Sequence, residues 1–167
     1  MKTQLDQNID PKGILPRLEL VLAAPGSDGI LNFVRILREN VPHYNWVGVY
    51  LVRNEKLVLS EYAGDSATEH VTIPIGQGIC GAAAESGETI DVPDVNNDPR
   101  YLACFPSTRS EIVVPIFGTA GVVGEIDIDS DKIAAFESRD RKLLERAAEM
   151  LGFFLEQQRS VNRTIET

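Results

Sequence analysis

Gly124-Glu125-Ile126-Asp127-Ile128-Asp129-Ser130 alternates strictly: Glu125, Asp127 and Asp129 fall on one side, Ile126 and Ile128 on the other. Side chains on a strand point to opposite faces in turn, so this is a strand with one apolar and one acidic face. Three carboxylates on one face repel each other. Water on that face would tolerate them. A pocket on that face would raise at least one pKa and leave a protonated acid near neutral pH. Both readings stand on spacing alone. Glu111 opens the preceding apolar stretch and joins the same cluster if the two strands pair.

Further strands are predicted on either side of it. Residues 46–52 are rich in aromatic and β-branched residues, residues 53–56 make a turn, and residues 57–62 follow as a second strand. Short strands are predicted over 71–75 and 89–92, and apolar ones over 112–117 and 122–129. Residues 76–86 carry small side chains and fit a short, tightly packed helix. Helical spacing joins Ile14, Leu15, Leu18, Val21 and Leu22, then Ile30, Leu31, Val34 and Leu37, with Ser27 or Asp28 as cap. A third stripe joins Leu143, Leu144, Ala147, Leu151, Phe154 and Leu155, with Ser138 as cap and Asp140 in the first turn. The fold class is α+β: a mostly antiparallel six-stranded sheet flanked by N- and C-terminal helices. Turns, rather than regular crossover helices, join the strands, which argues against a doubly wound parallel sheet.

The 167 residues suit a single domain, expected over 13–160, with a disordered tail over 1–12 and another over 161–167. A net charge of −9 argues against nucleic acid and anionic membranes, which need clustered Lys and Arg. No apolar run reaches the roughly 20 residues that span a bilayer. The first ten residues lack the apolar core of a signal peptide, so the expected location is cytoplasmic. Two cysteines and two histidines, widely scattered, do not suggest a zinc site, and no metal or other cofactor is expected.

Those cysteines carry the candidate chemistry. Cys80 lies in Gly76-Gln77-Gly78-Ile79-Cys80-Gly81, which matches a dinucleotide-binding spacing but lacks the βαβ unit that motif requires. The same glycines make a tight strand-to-helix turn, and the helix N-terminus would favour the Cys80 thiolate. Cys104 lies in a long polar loop over 93–110, and loops of that length are usually functional. Arg100 and Arg109 would stabilise its thiolate. Alternatively, Leu102, Ala103, Cys104 and Phe105 form an inert apolar lid. Trp46 and Tyr50, four apart on a strand, share a face and are either core or an aromatic wall for a ligand.

Taken together, Asn45-Trp46-Val47-Gly48-Val49-Tyr50, residues 76–81, Val92-Pro93-Asp94-Val95, Ser110-Glu111-Ile112-Val113-Val114-Pro115 and residues 124–130 resemble a GAF domain over about residues 30–155. Within that family the chain is most similar to the free methionine-(R)-sulfoxide reductases. The resemblance implies reduction of free L-methionine-(R)-sulfoxide, with Cys104 as nucleophile and Cys80 as resolving cysteine. Glu111, Asp127 and Asp129 would hold the substrate and protonate its oxygen, and Trp46 and Tyr50 would surround its methyl group. It also implies a thioredoxin-like dithiol as reductant and a homodimer joined through the terminal helices. Two positions depart from the family pattern: Phe105 stands where an Asp commonly follows the catalytic cysteine, and His70 stands where some members carry a further cysteine. A non-catalytic GAF module that binds a small ligand and regulates a partner is the alternative.

Overall fold

The computed structural model describes residue 10 and residues 12–165. Two helices, α1 (Ile14–Ala23) and α2 (Gly29–Asn40), precede a hairpin of β1 (Trp46–Arg53) and β2 (Lys56–Ala63). The edge strand β3 (Thr72–Pro74) leads into helix α3 (Gly78–Ser86). Strand β4 (Ile90–Val92), a short 3-10 turn (Val95–Asn97) and the hairpin β5 (Ser110–Gly118) and β6 (Gly121–Ser130) follow, and helix α4 (Ser138–Ile165) closes the described chain.

The six strands form one sheet in the order β3-β2-β1-β6-β5-β4, and every neighbouring pair is antiparallel. The expected α+β fold is therefore present, and the sheet is antiparallel throughout. The turn between β1 and β2 is two residues long. Asn54 and Glu55 both hold positive φ, of 50° and 61°, and Arg53 pairs with Lys56. That twist suits a tight hairpin. Strand β3 is shorter than the expected 71–75. It ends at Pro74, which has no N–H to extend a ladder and sits on the sheet edge, where that loss is tolerated.

Each sheet face has its own core. Val47, Val49, Ile112, Val114, Ile126 and Ile128 pack on one side against α1, α2 and α4. On the other side Trp46, Tyr50, Val113 and Val92 pack against Ile79, Cys80 and Ala83 of α3. The strict alternation of β6 thus divides the apolar Ile126 and Ile128 from the acidic residues, which face α3.

The helix ends are tied down. Asp10 is buried, and its carboxylate accepts the backbone N–H groups of Ile14 and Leu15 at 2.6 and 2.8 Å, capping α1. Lys12 Nζ donates to the Asn40 carbonyl at 2.7 Å. The tail expected over 1–12 otherwise lies outside the described residues. Helix α4 continues to Ile165, so residue 160, the expected end of the domain, lies inside it. Asp140 opens that helix. It accepts from the Glu137 N–H, from Tyr44 Oη and from His43 Nε2, each at 2.9 Å, and so pins α4 to the segment entering β1.

Candidate functional site

Register places the acidic residues. Asp129 lies between Trp46 on β1 and Glu111 on β5. Asp127 lies between Gly48 and Val113, and Glu125 between Tyr50 and Pro115. Side chains directly opposite on adjacent strands share a face. One rung therefore holds Trp46, Asp129 and Glu111, the next holds Asp127, and the third holds Tyr50 and Glu125. Gly48 makes room on the middle rung for the Trp46 indole, with which a Cβ there would collide.

All four carboxyl groups are buried, with Glu125 wholly inaccessible. Burial drives the Glu111, Glu125 and Asp129 acids well above their usual range, and the charge of Asp127 pushes each further. Burial also raises Asp127, to about 6, while hydrogen bonds from Cys80 and Glu111 restrain it. The acidic face is therefore buried rather than solvated. Neither oxygen of Glu125, nor Oδ1 of Asp127, has a hydrogen-bond partner. Glu125, which the alternation places on the acidic face but to which the family resemblance gives no role, belongs to this cluster.

The strand-to-helix turn brings Cys80 to the cluster. Gly78 holds φ +70°, and a Cβ there would lie 2.7 Å from Leu102 Cδ1. A Cβ at Gly81 would lie 2.6 Å from the Pro74 carbonyl oxygen. The glycine spacing is therefore a packing device that lets α3 sit against β3 and under the 93–110 loop. Cys80 sits in the first turn of α3, as expected, with its Sγ 3.8 Å from Glu111 Oε1. Its thiol is not acidified by the helix terminus. Burial raises its pKa well above normal, and Asp127, Glu125 and Glu111 raise it further.

Cys104 is half-buried in the loop, and its Sγ donates to the Leu102 carbonyl at 3.5 Å. Its pKa is also raised, first by burial and then by Asp127, with the Thr68 hydroxyl working the other way. The expected help from arginine is missing. Arg100 is engaged by Asp98, with Nη2 to Oδ2 at 2.6 Å, and Arg109 is exposed. Both cysteines are free thiols.

The aromatic wall is present and is also part of the core. Trp46 and Tyr50 are almost fully buried. Trp46 stacks on Tyr62 with ring centroids 5.8 Å apart, and its Nε1–H donates to the Ser66 carbonyl at 3.2 Å. Phe105 meets Trp46 at 5.8 Å with a 47° tilt. Tyr50 Oη donates to the His70 carbonyl at 2.8 Å, and His70 Nε2 lies 3.3 Å from the Ala103 carbonyl oxygen. The segment between β2 and β3, through Ser66, Thr68 and His70, thus braces both the aromatic wall and the Cys104 loop. Sequence reading gave Ser66 and Thr68 no part in the site, because short polar residues between strands look like any solvated turn. Thr108 escaped notice too; it is buried and bonds Asp129.

Known proteins are similar to this chain in sequence and fold. The GAF domain model matches residues 31–155. GAF domain-containing protein A of Dictyostelium discoideum is 34% identical over 143 residues, which cover 84% of this chain and 89% of that protein. The free methionine-R-sulfoxide reductase of Escherichia coli is 32% identical over 122 residues, 73% of each chain. The structure of the free methionine-R-sulfoxide reductase from Neisseria meningitidis in complex with its substrate superposes with a TM-score of 0.84 at 33% identity, covering 96% of each chain. The type II free methionine-R-sulfoxide reductase from Thermoplasma acidophilum does so with a TM-score of 0.75 at 38% identity, covering 84% of this chain and 96% of that one. With its fold, its match over most of its length and these relatives, the chain belongs to the GAF domain family.

Proposed function

We propose that this protein reduces free L-methionine-(R)-sulfoxide to methionine, with Cys104 as nucleophile and Cys80 as resolving thiol. The observation that carries the reading is the burial of Cys80, Glu111, Asp127 and Asp129 together beside Trp46 and Tyr50, with the half-buried Cys104 near enough for Asp127, Asp129 and Glu111 to act on its thiol. The relatives named as free methionine-R-sulfoxide reductases support it.

The sulfoxide sulfur is attacked by Cys104 sulfur. The S–O bond to the substrate breaks, and the oxygen leaves on Cys104 as a sulfenic acid while methionine departs. A carboxylic acid of the cluster protonates that oxygen. Raised acids suit this step, because they hold a proton near neutral pH. Cys80 sulfur then attacks the sulfenic sulfur, water leaves and a disulfide forms. A thioredoxin-like dithiol returns both thiols. The overall balance is one sulfoxide and two thiols in, one thioether, one disulfide and one water out.

The raised thiols fit this scheme through the substrate itself. Asp127, Asp129 and Glu111 all raise the Cys104 pKa. An ammonium group seated among these carboxylates cancels their charge and lowers the barrier to thiolate formation. A peptide-bound methionine sulfoxide has no free ammonium to offer, which accounts for selection of the free amino acid.

Steady-state turnover of free methionine-(R)-sulfoxide with a dithiol, measured for wild type and Cys104→Ser, tests the proposal. Activity in the first and none in the second is expected. An inactive wild type refutes it. The raised thiol pKa values favour one other reading, a GAF module that binds a small ligand without chemistry. Mild peroxide distinguishes them: the reductase forms a Cys80–Cys104 disulfide, whereas the module keeps two unreactive thiols.

A further inference from the structure

Among the described residues, Cys80, Glu111 and Asp127 each turn one ligand-type atom toward a common point, and these atoms lie within 4.8 Å of one another. The Cys80 Sγ to Glu111 Oε1 separation is 3.8 Å. Tetrahedral zinc, with bonds of about 2.3 Å to sulfur and 2.0–2.2 Å to carboxylate oxygen, needs ligand atoms about 3.5 Å apart. A second, independent observation points the same way. Glu125 is fully buried, projects from the same face of β6 as Asp127, and leaves both carboxyl oxygens without a partner. Oδ1 of Asp127 is also unpartnered. Buried polar atoms without partners are rare in native proteins, and an ion is one of the usual reasons for them.

We propose that Cys80, Glu111 and Asp127, with Glu125 as fourth donor, bind a thiophilic divalent cation of the zinc class when both thiols are reduced. Carboxylates alone would suit magnesium or calcium. The thiolate selects against these hard ions and for zinc or cobalt. One divalent charge among four acidic groups also removes much of their mutual repulsion. Binding displaces protons from the thiol and acids, so affinity rises with pH. The ion and a substrate ammonium would occupy the same carboxylates and exclude each other. Disulfide formation would also eject the ion. Cys80 sulfur bonds to the sulfenic sulfur of Cys104, water leaves, and no thiolate remains at position 80 to serve as ligand.

Cobalt(II) titration of the metal-free dithiol protein, without substrate, tests this. Expected is one cobalt per chain, with a thiolate-to-cobalt charge-transfer band and the d–d bands of a tetrahedral site. One equivalent of zinc should displace it, and excess magnesium should not. Cys80→Ser should lose the charge-transfer band while keeping its far-UV circular dichroism. Glu125→Gln should bind about tenfold more weakly or worse, and Cys104→Ser should bind as wild type does. A charge-transfer band that survives in Cys80→Ser, one that vanishes in folded Cys104→Ser, displacement by magnesium or no binding by wild type overturns the proposal. The titration involves no turnover, so its failure is distinguishable from failure of the reductase assay.

Discussion

Cys80 Sγ lies 3.8 Å from Glu111 Oε1, whereas Cys104 Sγ turns to the Leu102 carbonyl at 3.5 Å. In the reduced protein each thiol is therefore satisfied by a neighbour other than its expected disulfide partner. In the proposed reaction, the resolving step breaks both of these thiol contacts.

That geometry separates the two cysteines kinetically. Cys104→Ser should lose all turnover. Cys80→Ser should still release about one methionine per chain and then stop with dithiol protein as reductant, because the sulfenic acid forms but is not resolved. Rapid-quench measurement of methionine per active site checks this, and a variant without that single turnover would remove Cys104 from the role of nucleophile.

Stability should fall as pH rises through the acidic range. Asp127 has its pKa raised to about 6, so the folded state holds a proton that the unfolded chain gives up near pH 4. A raised carboxyl group costs no stability below its unfolded pKa and costs progressively more up to its folded pKa. For Asp127 the cost is on the order of 3 kcal/mol, developed between about pH 4 and 6. Glu111, Glu125 and Asp129, raised in the same direction, continue the fall at higher pH. Calorimetric Tm values at pH 4.5 and 7 should differ less in Asp127→Asn than in wild type, and an unchanged slope in that variant would refute the assignment.

Glu125→Leu should stabilise the protein by about 1–3 kcal/mol, because it removes a buried, unpaired polar group at nearly constant volume. The introduced leucine side chain would join Tyr50, Val113 and Cys80 in the core below the site. Urea denaturation at pH 7 measures the change. A loss of stability would mean that the Glu125 carboxyl is satisfied in solution.

Gly48→Ala should destabilise by about 1–3 kcal/mol, since its Cβ would strike the Trp46 ring, which is clamped between Tyr62 and Phe105. Trp46 fluorescence and the urea midpoint should move together. A neutral substitution would show that the indole can shift within the wall.

His70→Ala should loosen the nucleophile loop. His70 Nε2 contacts the Ala103 carbonyl at 3.3 Å, next to Cys104. Loss of one exposed hydrogen bond, worth about 0.5–1.5 kcal/mol, predicts a roughly two- to tenfold faster alkylation of Cys104 with little change in Tm. Equal rates would show that the loop is held from elsewhere, as by Phe105 against Trp46 or by Thr68 beside Cys104.

Periodicity alone determined much of this protein. The alternation in 124–130 marked a strand with one acidic face, the stripe from Leu143 to Leu155 marked the closing helix, and the glycines of 76–81 marked a strand-to-helix turn. These features are local, and a pattern of period two or 3.6 reports which residues share a face whatever the face meets. Only the tertiary structure decided what that face meets. Register set Glu111 beside Asp129 and Gly48 beside Asp127, and α3 closed over them, so the acids became buried and their pKa values rose. The same burial reversed the expectation for Cys80: a helix terminus favours a thiolate, but desolvation and three nearby acids outweigh it. Arg100 likewise stands near Cys104 in sequence yet pairs with Asp98. Burial depends on contacts between residues far apart along the chain, and the choice of Asp98 over Cys104 by Arg100 depends on how the loop folds, which is why neither could be read from spacing.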